Sequence, residues 1–394
     1  MSWADLPEEL LEIILKQPTY AVNLYHYRDV CRTWRSVVDK QLCSSPPHLL
    51  LYEKQNGVVK RIRMSDVFTG DSSILEIPEF KVRDGRSLVI RSVHTWHRWL
   101  VMHGTTLNFY SGRSRSRNRK NHAHHICLYN PFSNARIRLP AFTLHQSLDT
   151  LNRKFVFSSQ PTNPTSIALA VRDGRFLEKL MFLKPGDEEW TTFVDGLDKR
   201  MWVIDIICYK GGFCALDCYQ NIIQFELSPF PRVKKTPTRF NRSIQDPDED
   251  EDDYEFLVES LCGDLLMVHV IWNLRKTIKF KVYKLDWERM EWDEIKSLGE
   301  EAIFLCCDGS ACIRADDSTI YKPNCIYDIF NEDFRVYDLG NETIAIISHS
   351  WKMSHTRFCY CYKILIGILW QSVVNLEEDV QAIIYEDKDG QIIL

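Results

Sequence analysis

The chain holds 13 cysteines, 12 histidines and 54 carboxylates, which is material enough for a metal site, a nucleophile or acid–base work if spacing gathers it. Cys208, Cys214 and Cys218, with Cys306-Cys307 and Cys359-x-Cys361, invite zinc. Structural zinc takes paired cysteine knuckles a few residues apart, and only Cys214-x₃-Cys218 comes near, inside what reads as a strand and its turn. Buried reduced thiols are the plainer reading. His124 and Cys127 are close in sequence, but such a pair does little without an activating third group. No phosphate-binding glycine loop, serine elbow, zincin helix or paired-carboxylate signature is present. The expectation is a chain with no catalytic site, no metal and no cofactor.

Two charge clusters point toward partners instead. Arg113-Ser-Arg115-Ser-Arg117-Asn-Arg119-Lys120, followed by His122, His124 and His125, could target the nucleus or touch RNA. No aromatic residue interleaves the charges for base stacking, so a solvated loop between strands is favoured. The acidic run from Asp246 to Glu255 follows a basic run of Lys234, Lys235, Arg239 and Arg242. It lacks the alternating ligands and turn glycine of a calcium loop, and reads as a flexible connection.

Behind these clusters, the elements that would position any site are of two kinds. From Leu49 onward the chain reads as short β-rich runs separated by turn residues, such as Leu49–Tyr52, Trp99–Met102, Ile126–Tyr129, Val203–Cys208, Leu265–Trp272 and Phe334–Leu339. A sub-pattern of strand, turn and second short strand recurs with starts near Ile62, Ile126, Leu180, Ile222, Phe280 and Phe334. That is a loose period of roughly 50 residues, as in kelch-like β-propeller blades. A propeller is the expected fold, with its blade number open; a twisted β-sandwich, which needs no period, is the alternative.

Ahead of the strands, Trp3 to Val38 reads as three short helices. Asp5 can cap the first, with Pro7 in its first turn and Glu8 three residues beyond the cap. Leu6, Leu10, Leu11, Ile13 and Ile14 follow at near-helical spacing, until Gln17-Pro18 stops the run. Asp29 can cap the third helix, on which Val30, Cys31, Trp34, Val37 and Val38 share a stripe. So small a unit is near the limit for holding a core alone, and leans on a neighbour or partner.

The order Leu6-Pro7-Glu8-Glu9-Leu10-Leu11, then Ile14-Leu15, then Val30-Cys31-Arg32-Thr33-Trp34-Arg35-Ser36 resembles the F-box signature. Trp99-Leu100, Leu128–Ser133 and Arg138-Leu139-Pro140 resemble the first blades of plant F-box proteins with kelch-related C-terminal regions. Phe256–Ser260, Gly263–Val268, Val282–Asp286, Ser297–Gly299 and Asn324–Tyr327 are similar to the domain of unknown function that ends one large plant subfamily. Arg98 and Pro323 depart from the pattern by standing where glycine is usual.

The resemblance implies a mainly β chain with a small α module: an F-box helical module over 1–43, a propeller-like recognition domain over 48–350, and a closing strand with an acidic tail over 351–394. It implies a substrate receptor of an SCF-type cullin-RING ubiquitin ligase. The residues it assigns to a Skp-family adaptor are Leu6, Pro7, Leu10, Leu11, Ile14, Val30, Cys31 and Trp34. The propeller would hold an unidentified protein target. Two other classes stay open: an F-box scaffold outside the ligase, and a propeller enzyme with acids or a metal at the channel.

Charge and hydropathy fit this outline. With 49 basic against 54 acidic groups the net charge is −5, which creates no global field for nucleic acid or anionic membrane. Asp5, Glu8 and Glu9 stand where a secretory signal needs basic and apolar residues, and Phe358–Trp370 is too short to span a bilayer. Cytosol or nucleus is the expected compartment.

Overall fold

The structure, a computed structural model, describes residues 48–55, 58–66, 72–82, 84–96, 99–106, 122–131, 133–144, 153–172, 180–192, 203–227, 232–240, 252–272, 278–305, 308–315, 321–330, 333–347, 359–365, 385–386 and 392–393, with Leu6, Pro7, Leu10, Leu11, Thr33 and Trp34. Runs of alternating or continuous apolar residues, broken by Asn, Asp and Gly turns, form antiparallel strands that build a six-bladed β-propeller.

In chain order the first sheet contains β1 (His48–Gln55), β2 (Val58–Asp66) and β3 (Ser72–Leu75). The second contains β4 (Val89–Trp96), β5 (Trp99–Thr105), β6 (His122–Tyr129) and β7 (Arg136–Arg138), with β8 (Phe142–Leu144) paired to β6. The third runs β9 (Arg153–Phe157), β10 (Ala168–Arg172), β11 (Met181–Leu183) and β12 (Thr191–Thr192). The fourth is β13 (Val203–Tyr209), β14 (Gly212–Asp217), β15 (Ile222–Glu226) and β16 (Arg232–Thr236). The fifth is β17 (Asp252–Glu259), β18 (Leu265–Trp272), β19 (Ile278–Asp286) and β20 (Glu291–Ile295).

The sixth sheet has five strands: β21 (Glu301–Phe304), β22 (Ala311–Arg314), β23 (Cys325–Phe330), β24 (Asp333–Asp338) and β25 (Thr343–Ile347). Their order is β22-β21-β23-β24-β25, and β21 runs parallel to β23. After it come β26 (Cys359–Leu365), β27 (Tyr385–Glu386) and β28 (Ile392–Ile393). β26 pairs antiparallel with β1, Leu49 opposite Ile364, so the first blade is built from both ends of the strand series. β28 adds to the outer side of β7.

The innermost strands meet around the axis: β26 touches β4, β4 touches β9, β9 touches β13, β13 touches β17, and β17 touches β22. Apolar side chains fill each seam. Ile90, Val93 and Leu100 pack with Leu50 and Ile62 between the first two blades, and Val268, Phe280 and Val282 with Ile303 and Tyr337 between the last two. Seams of this kind replace a single central core. Within the second blade, Gly104 of β5 lies close against β4, since a Cβ there would meet Ile90 Cδ1 and the Val89 carbonyl at 3.3 Å.

The recurring starts read in the sequence fall on or beside β2, β6, β11, β15, β19 and β24, one per blade. The acidic run is corrected in part: residues 252–255 belong to β17, where Glu255 is buried and accepts a hydrogen bond from Gln220 Nε2 at 2.9 Å. Pairing of Asp252–Glu255 with Trp272–His269 of β18 draws that end of the run into the ladder. Residues 246–251, the basic cluster from 113 to 120 and the three expected helices lie outside the described residues, apart from isolated positions of the helices.

Candidate binding faces: the N-terminal segment and the propeller channel

Within the N-terminal segment, the amides of Leu10 and Leu11 both donate to the Pro7 carbonyl at 3.1 Å, closing a helical turn. Proline supplies an acceptor there without an amide that needs one. The turn splits its two leucines. Leu11 is fully buried and Trp34 is 3 % exposed, both in the cluster that holds Leu50, Tyr52, Ile62, Phe80 and Val93 of the first two blades. Leu6 packs partly against the same cluster. Leu10 is 47 % exposed and Pro7 is exposed, so these two face outward. Ile14, Val30 and Cys31 lie outside the described residues.

At the channel, two buried carboxylates tie blades together. Asp205 on β13 accepts the Leu257 amide of β17 at 2.8 Å and the Ile206 amide at 2.8 Å, and pairs with Lys154 Nζ of β9. Three neighbouring blades are thereby joined. Asp308, between β21 and β22, accepts the Thr95 amide at 2.9 Å and stands 3.2 Å from His94 Nδ1, both on β4. This clasp links the sixth blade to the second across the blade that closes the ring. His94 also sets its ring edge against Phe155, centroids 5.6 Å apart. Carboxylates used in this way as acceptors hold strands rather than move protons.

The cysteine and histidine candidates separate in space. His124 and Cys127 differ by an odd number of positions on β6 and face opposite sides of the sheet. His124 stacks on Phe142 and lies 2.8 Å from His103 Nε2, whereas Cys127 belongs to the first seam. Burial pushes the Cys127 and Cys214 thiols up to about 12. Burial, with the Glu259 carboxylate, pushes Cys208 up to about 11. Among the described residues, no three of His, Cys, Asp and Glu converge as metal ligands.

One titratable group stands apart at the end of the fifth blade. Burial pushes the Glu259 carboxyl up to about 7, against the pull of Lys210. Around it, Lys210 Nζ lies over the Tyr209 ring at 5.0 Å and Tyr209 stacks on Trp287 at 5.8 Å. Asp205, Asp308 and Glu259 form no motif in the sequence; the readable signal was for Asp205 alone, an acid inside the apolar run Val203–Cys208. Asp308 stands among ordinary turn residues, and Glu259 is the last residue of β17, beside a turn.

Comparison with known proteins places this arrangement. The F-box domain model matches residues 3–44, and the KIB1-4 β-propeller model matches residues 64–348. F-box protein At4g35733 of Arabidopsis thaliana is 27 % identical over 386 residues, covering 92 % of this chain and 97 % of that protein. F-box protein At2g17036 of the same plant is 24 % identical over 366 residues, covering 83 % of this chain and 82 % of that one. The similarity to both relatives thus runs over most of each chain.

Proposed function

Because this chain belongs to the KIB1-4 β-propeller family and carries an F-box match directly ahead of the propeller, we propose that it is the substrate-receptor subunit of an SCF-type cullin-RING ubiquitin ligase. The observation that carries the reading is the joining of the two matches in one chain. Residues 1–43 dock on a Skp-family adaptor, residues 48–350 form a kelch-like recognition domain, and residues 351–394 supply the closing strand and an acidic tail. The chain works in cytosol or nucleus as a non-catalytic part. Its mechanism is proximity: a bound target's lysine is held near a thioester made elsewhere, which raises effective concentration without a catalytic group here.

The eight adaptor residues then divide. Pro7 and Leu10, exposed, reach the adaptor, together with whichever of Ile14, Val30 and Cys31 share their side. Leu6, Leu11 and Trp34 hold the segment against the first two blades. Co-purification of the full chain with a Skp-family adaptor tests this, beside Leu10→Ala and Trp34→Ala variants checked by circular dichroism. Wild type should carry the adaptor, and folded Leu10→Ala should lose it by about tenfold or more, as for an interface anchor. A folded wild type that retains no adaptor over a range of salt overturns the reading.

A further inference from the structure

Among the described residues, the seam between the first two blades is the one that takes side chains from outside the propeller. Leu11 and Trp34 are buried there in one cluster with Leu50 and Tyr52 of β1 and Val93 of β4. Leu50 and Tyr52 stand two positions apart, so they occupy one face of β1. The inner edge of the same strand holds β26, with Leu50 opposite Lys363 and Tyr52 opposite Cys361. One strand thus meets both the N-terminal segment and the strand that closes the ring.

Closing the ring costs chain entropy, because β26 must return to a strand near the other end of the series. Packing that fixes β1 offsets this cost at the point of closure, and the N-terminal segment supplies part of that packing. The segment's outward side is tied to its inward one. The amides of Leu10 and Leu11 both donate to the Pro7 carbonyl, so exposed Leu10 and buried Leu11 ride on a single hydrogen-bonded turn. Thr33 and Trp34 repeat the split, one exposed and the next buried. A partner that fixes the outer side therefore holds the inner side in its seam.

We infer that the N-terminal segment is the latch of the propeller ring, and that an adaptor gripping Pro7 and Leu10 tightens the closure of β26 on β1. The adaptor's part rests on the receptor reading, whereas the latch itself needs only this chain. Linkage makes the coupling reciprocal. An adaptor that prefers the seated segment stabilises the closed ring, and a loosened ring weakens the adaptor by the same factor. The ring is then firmest when the receptor is assembled.

The test measures hydrogen exchange on the full chain, free and saturated with a Skp-family adaptor. In the free chain Trp34→Ala should speed exchange about tenfold over 48–55 and 359–365, while the fifth blade, 252–295, keeps wild-type rates. Trp34→Phe, which keeps an apolar ring in the seam, should fold and lie between. Adaptor on the wild type should slow the same two segments about tenfold. For the reciprocal arm, Val93→Ala and Val268→Ala make the same truncation at fully buried sites, one in the first seam and one between the last two blades. Val93→Ala should weaken the adaptor about threefold or more, and Val268→Ala should leave its affinity unchanged. Faster exchange of Trp34→Ala confined to residues 1–43, or spread evenly over six blades, overturns the latch. So does an adaptor that binds without slowing 48–55, or one weakened equally by both valine variants. A wild type that takes no adaptor overturns the receptor reading and the adaptor's part, and the free-chain exchange of Trp34→Ala then upholds or refutes the latch by itself.

Discussion

Leu10 and Leu11 are neighbours in sequence and opposites in the fold, and the difference has a measurable consequence. Leu11 is enclosed by side chains of two blades, so Leu11→Ala should cost about 2–5 kcal/mol, in the range for a buried leucine that leaves a cavity. Thermal melting should register it clearly, while Leu10→Ala moves the midpoint little and acts on partner binding instead. Glu259 provides a residue-level test of a different kind. Its folded carboxyl titrates near 7, raised by burial from 4.5, so the neutral form is favoured by folding. The stability this contributes is fully present below about pH 4.5 and is lost as pH rises through about 7. Glu259→Gln should therefore melt with a smaller drop between pH 5 and pH 8 than wild type; an unchanged drop would mean that the carboxyl is solvated. Leucines and tryptophan of the N-terminal segment were legible because their spacing is a signature. Glu259 and Asp308 were not, because a carboxylate's role here depends on which amides and ammonium groups the blades bring to it.

Elements were more readable than residues. The recurring strand pairs marked one strand in every blade, since each blade repeats the same alternation and turn chemistry. What escaped was pairing that joins distant parts of the chain, or that breaks the meander. The parallel contact of β21 with β23 has no local cue, because nothing in either strand's pattern distinguishes a parallel from an antiparallel neighbour. Ring closure also joins distant parts of the chain: the sequence places a closing strand in 351–394 without naming its partner, and β26 meets β1 across some 300 residues of intervening chain. Its contribution can be isolated by deleting residues 359–394. Removing β26 exposes the edge of β1, whose run Leu49-Leu50-Leu51-Tyr52 is apolar, and amide exchange over 48–55 should rise sharply while the fifth blade, β17–β20, keeps its protection. The Asp308 clasp to Thr95 and His94 should keep the remaining blades ringed. Accordingly, Asp308→Ala combined with the deletion should lower the melting point more than the sum of the two alone. Simple additivity would show that the clasp does not support closure.

For the whole molecule, the proposed receptor role raises the question of where the bond chemistry of ubiquitin transfer would happen. A ligase that carries ubiquitin on its own thiol needs an accessible, readily ionised cysteine. The described thiols are mostly of the opposite sort: Cys127, Cys208, Cys214 and Cys325 are driven up to about 11 or 12, chiefly by burial, and Cys312 well above its ordinary value. Cys262, in the β17–β18 turn, is exposed and Cys218 is half-buried, so among the described cysteines Cys262 is the most accessible candidate for a covalent route. On the proposed receptor reading the propeller has no need of it. In a reconstituted assembly of adaptor, cullin, RING subunit and this chain, Cys262→Ser should leave ubiquitin transfer within about twofold of wild type, as for a surface change remote from any working group. Leu10→Ala should abolish transfer by uncoupling the receptor, with the propeller still folded. If instead Cys262→Ser stops transfer and a thioester-linked ubiquitin on this chain disappears with it, proximity is the wrong mechanism. Loss with Leu10→Ala alone would mean that the propeller works by holding its target at a fixed distance from a reaction carried out on other subunits.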